Sequence, residues 1–97
     1  MPAYVALLKY TAQGIGNITD SPNRIQQARE AGERVGVKII GVWVTMGEYD
    51  LVGIFEATDD QTMASYLLGL AGRGNITTQT MKAFSEEEFA QIVGRLP

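Results

Sequence analysis

Histidine and cysteine are both absent from this chain of 97 residues, so any chemistry must rest on carboxylates, lysines, arginines, phenols and hydroxyls. Their absence excludes disulfides, zinc centres of the Cys/His kind, haem held by a proximal histidine, and Ser-His or Cys-His nucleophilic pairs. No metal or cofactor is expected. Among the remaining groups, Lys9 and Glu56 each fall near the end of an apolar run, whereas Tyr49 and Asp50 lie in a short break between two apolar runs. A lysine and a glutamate at one end of a sheet would form an ion pair. With Trp43 and Ile54 deeper in, that pair is either structural or a charged clamp over an apolar ligand pocket. Tyr49 as a phenol donor and Asp50 as an acceptor would hold a polar group of a ligand, or would simply serve their own turn. Arg73, in Gly72-Arg73-Gly74, is a helix exit and a candidate anion contact.

The elements that must position these residues follow from apolar periodicity and from start and stop signals. Tyr4 to Tyr10 reads as a first strand, apolar on both parities. Gly14-Ile15-Gly16-Asn17 lies between strand and helix, but lacks the third glycine of a dinucleotide fingerprint and any Gly-Lys-Ser/Thr, so it is expected to be a flexible loop. Ser21-Pro22 announces a helix with Ser21 as N-cap, a buried stripe of Ile25, Ala28, Gly32 and Val35, and an end at Gly36. Val37 to Met46 and Asp50 to Ala57 form a β-hairpin with a two-residue turn, which places Ile39, Trp43, Val52, Ile54 and Glu56 on one face. Asp59 or Asp60 caps a second helix with Met63, Tyr66, Leu67 and Leu70 inward, and Asn75 to Phe84 suits an edge strand. Ser85-Glu86-Glu87-Glu88 is a capping box that opens a terminal helix.

The order βαββαβ plus a C-terminal helix predicts an α+β, ferredoxin-like single domain over residues 1–97, a four-stranded antiparallel sheet with its first and third strands central and running parallel. On that parallel reading Lys9 and Glu56 share one end of the sheet, and Tyr49 and Asp50 the other. The helices cover one sheet face. Both faces are apolar, so the second needs a cover, and a second copy of the chain about a two-fold axis supplies it most economically. A homodimer or a larger homo-oligomer is the expected state.

Composition narrows the class further. With 45% hydrophobic and 20% charged residues the chain is an ordinary globular protein, and at a net charge of −3 with scattered Lys and Arg it lacks the basic stripe of a nucleic-acid binder. The opening segment MPAYVALLKY has no basic n-region or cleavage site, and no apolar run approaches a membrane span, so no membrane association and a cytoplasmic location are expected.

Taken together, Tyr4-Val5-Ala6-Leu7-Leu8-Lys9-Tyr10-Thr11, Thr45-Met46-Gly47-Glu48-Tyr49-Asp50, Gly74-Asn75 and Ala83-Phe84-Ser85-Glu86-Glu87-Glu88-Phe89 resemble the GYD-domain family, named for the hairpin motif. The resemblance spans nearly the whole chain; one departure is Thr58, where members often carry proline. It implies a dimeric α+β barrel and no defined activity. The leading expectation is a dimeric binding or accessory module that holds a small, largely apolar ligand or a protein partner on the sheet face. The alternatives are a cofactor-independent oxygenase or isomerase using Lys9, Glu56, Tyr49 or Asp50 for proton transfer, and a structural subunit of a larger homo-oligomer.

Overall fold

The computed structural model describes residues 1–97. Its elements are β1 (Ala3–Tyr10), α1 (Ala12–Gly16), a 3-10 turn (Ile18–Asp20), α2 (Ser21–Val35), β2 (Val37–Val44), β3 (Leu51–Ala57), α3 (Asp60–Ala71), β4 (Ile76–Ala83) and α4 (Glu86–Val93). The strands form one four-stranded sheet in the order β2-β3-β1-β4, antiparallel throughout. The ferredoxin-like α+β architecture is as expected, with one correction. β1 and β3 run antiparallel, because the α2 crossover makes β2 parallel to β1 and the hairpin then reverses the chain.

Alternation divides the sheet cleanly. Tyr4, Ala6 and Leu8 of β1 and Leu51, Phe55 and Ala57 of β3 face the helices and are buried with Val37, Met63 and Tyr66. The outer face carries Val5 and Leu7 of β1 and Val52 and Ile54 of β3, all only partly buried. A register shift between Ile39 and Gly41 moves Ile39 opposite Phe55, so Ile39 packs on the core and not on the Trp43 face.

Three local expectations also change. Gly14 to Gly16 is not a loop but part of α1: Thr11 caps it by accepting from the Gly14 N–H at 3.1 Å, and a Cβ on Gly14 would come within 2.1 Å of the Asn75 carbonyl oxygen. Glycine is required there by close approach of backbone to backbone. Ser21 is the first residue of α2 and not its cap; it is buried, and its hydroxyl shares a 2.6 Å hydrogen bond with the Tyr10 hydroxyl. Val35 is exposed rather than part of the buried stripe, while Gly36 ends the helix at φ 88° as expected. The capping box of α4 is formed, yet every residue from Phe84 onward is exposed, Phe89 and Leu96 included. No helix is long and apolar enough to cross a membrane.

Candidate functional site

Antiparallel pairing separates the two charges expected to meet. Glu56 lies opposite Ala3 on β1 and Lys38 on β2, whereas Lys9 lies at the far end of β1, opposite Thr77. The expected Lys9–Glu56 clamp is therefore absent, and its cause is the strand direction. Lys9 instead meets the hairpin: its Nζ is 3.7 Å from the Glu48 carboxylate and 5.2 Å from the centre of the Tyr49 ring. Both charges of the ion pair are well exposed, so the pair adds little stability by itself.

The hairpin turn is longer than expected. Thr45 and Asp50 are still joined by a backbone bond of 2.8 Å, which leaves Met46 to Tyr49 as the loop, and Gly47 at φ 144° allows the chain to reverse. The Thr45 hydroxyl donates to the Tyr49 carbonyl at 2.6 Å, closing the loop from within. Tyr49 then reaches over β1, and its hydroxyl donates to Gln79 Oε1 of β4 at 2.7 Å. Asp50 is tied to β1 twice: its N–H donates to the Leu8 carbonyl at 2.9 Å, and its Oδ2 accepts from the Tyr10 N–H at 2.9 Å. Tyr49 and Asp50 thus act as a latch that holds the hairpin end against β1 and β4, and Lys9 belongs to the same latch.

Beyond the latch, register fixes two cross-strand rows on the outer face. Trp43, Val52, Leu7 and Gln79 form one, and Gly41, Ile54, Val5 and Met81 form the next. The Trp43 indole lies down over Gly41, where a Cβ would come within 2.5 Å of the ring, so glycine makes room for the aromatic plate. Trp43 remains 56% exposed. Trp43 and Ile54 consequently share a continuous apolar surface, with Glu56 at one end and the Lys9–Tyr49 latch at the other.

Arg73 stands apart from the other candidates, on the helix side. There a cavity of about 90 Å³ opens between α2, α3 and the sheet, and Arg24 and Arg73 both border it. No motif points to this cavity, because it arises from how far apart two helices sit. A second cluster is likewise absent from the sequence-based expectations. The Tyr4 hydroxyl donates to Asp60 Oδ1 at 2.5 Å, and Lys82 Nζ lies 3.2 Å from the same oxygen. Burial, with the Asp60 carboxylate second, pushes the Tyr4 phenol up to about 12, while the Tyr4 hydroxyl and then Lys82 hold the Asp60 carboxyl below its usual range. Tyr4 shares its parity with Ala6 and Leu8, so its burial is legible, and a buried phenol needs a partner. The partner's identity depends on where α3 begins.

Comparison with known proteins places this chain among relatives. The GYD domain family model matches residues 4–93. A Thermus thermophilus protein named glutamine synthetase and cystathionine beta-lyase binding protein is 33% identical over 97 residues, which cover 99% of each chain. Among solved structures, TTHA0845 from Thermus thermophilus superposes with a TM-score of 0.56 at 22% identity, over 88% of this chain and 95% of that one. The C-terminal domain of MgtC from Mycobacterium tuberculosis gives 0.50 at 9% identity, over 84% and 86%. These two likenesses speak to the fold alone; the family match and the Thermus relative establish that the chain belongs to the GYD-domain family.

Proposed function

We propose that this protein is an accessory binding module: two copies join through their outer sheet faces into an α+β barrel, and the dimer binds a protein partner. The observation that carries this reading is the pair of apolar rows across the outer face, where Trp43, Val52, Leu7, Ile54, Val5 and Met81 lie side by side on four strands with no helix over them. Such a face is self-complementary about a two-fold axis. Three of the four groups nominated for proton transfer favour the same reading, since Lys9, Tyr49 and Asp50 are engaged in holding the hairpin end, away from Glu56.

The relative named for binding glutamine synthetase and cystathionine beta-lyase supplies the first partners to test. Both enzymes, purified from the organism that encodes this chain, would be presented to the immobilised protein in biolayer interferometry. Saturable binding of at least one of them is expected. If neither binds at micromolar concentration, the protein-partner reading is wrong.

A further inference from the structure

We infer that the cavity between α2, α3 and the sheet is a binding site for a small amphipathic carboxylate, with its apolar tail inside and its carboxylate at Arg73. This site is on the side of the sheet opposite the surface assigned to the dimer, and the inference does not depend on that assignment. The interior is apolar: Leu8, Val42 and Ile76 of the sheet line it with Ile25 of α2 and Leu70 of α3. Its polar neighbours are already satisfied. The Tyr66 hydroxyl donates to the Ala28 carbonyl at 2.7 Å, and the Tyr10 and Ser21 hydroxyls bond each other at 2.6 Å. Burial pushes the Tyr66 phenol up to about 12, so that part of the wall stays neutral.

Charge at the mouth is another matter. The Arg24 guanidinium is committed to the Asn17 carbonyl at 2.8 Å and lies 3.9 Å from Asp20, but the Arg73 guanidinium makes no hydrogen bond or ion pair. Its backbone is fixed, since the Arg73 carbonyl accepts from Gln13 Nε2 at 2.9 Å and Gly74 at φ 85° turns the chain into β4. An exposed, unpaired guanidinium bordering an apolar cavity suits a ligand with an anionic head, and a planar carboxylate matches the guanidinium fork. A cavity of about 90 Å³ is smaller than the ~150 Å³ cavity that admits benzene, which limits the tail to about four heavy atoms.

The test compares pentanoate with pentan-1-ol and pentylamine on the wild-type protein, by amide chemical-shift perturbation and isothermal titration at millimolar concentrations. Pentanoate is expected to bind, with shifts centred on Ile25, Leu70 and Ile76, and to bind about tenfold more tightly than the alcohol, while the amine does not bind. Arg73→Gln should weaken pentanoate about tenfold and leave pentanol unchanged, whereas Arg73→Lys retains part of the preference. Ala28→Leu, which fills the cavity from α2, should abolish both. Equal affinity for acid and alcohol, shifts confined to the outer sheet face, or no binding of pentanoate would each overturn the proposal, and all three are read on the wild-type protein alone.

Discussion

At the scale of single residues, the hairpin motif is a structural latch. Asp50 replaces a missing strand neighbour by accepting from the Tyr10 N–H with its side chain, so Asp50→Ala leaves a partly buried donor unpaired. A loss of about 1–2 kcal/mol in urea unfolding is expected, with Asp50→Asn recovering most of it because an amide oxygen can still accept. The Tyr4–Asp60 bond carries a signature in pH. The folded phenol ionises at about 12 against an ordinary 10.0, so its contribution is complete below pH 10 and is lost as pH rises from there towards 12. Asp60 behaves in the opposite sense: its lowered carboxyl contributes above its ordinary 3.8, and that contribution disappears as acid protonates it. Urea midpoints measured against pH should fall less steeply above pH 10 in Tyr4→Phe than in the wild type. A parallel fall in both proteins would remove the assigned role of the Tyr4 hydroxyl.

At the scale of elements, periodicity is a reliable guide where one side chain set decides the outcome. The strands, the Gly36 helix stop, the inward stripe of Met63, Tyr66, Leu67 and Leu70, and the α4 capping box are all legible. What cannot be read depends on contacts distant in sequence. Gly14 looks like loop glycine until α1 is seen pressed against the Asn75 carbonyl, and Ile39 changes face only because of the bulge opposite Phe55. Gly14→Ala provides a check on the first point. A Cβ 2.1 Å from a backbone oxygen forces α1 away from the α3–β4 connection, and a loss of about 1–3 kcal/mol in thermal or urea unfolding is expected. Strand direction differs from the sequence-based expectation, and with it the Lys9–Glu56 pair; a crossover followed by a hairpin permits only an antiparallel first and third strand. The Trp43–Ile54 half of the candidate surface is placed as expected because it requires only alternation within the hairpin.

At the scale of the whole molecule, the chain is extended for its length. The Cα radius of gyration is 14.7 Å, against about 12.5 Å for a compact domain of this length, and the extents are 52 × 31 × 18 Å. Helices cover one side of the sheet, the apolar rows lie bare on the other, and α4 is exposed along its whole length. A two-fold dimer through the outer face would give the sheet a second side, and the partner-binding role proposed for the protein is built on that dimer. Sedimentation equilibrium of the wild type beside Ile54→Asp tests this most directly, since Ile54 sits in the middle of the apolar rows and is not part of the helix-side core. The wild type should sediment as a dimer at micromolar concentration, and Ile54→Asp as a monomer with an unchanged circular dichroism spectrum. A wild type that is monomeric at that concentration, or a folded Ile54→Asp that remains fully dimeric, would contradict the assignment of the outer sheet face.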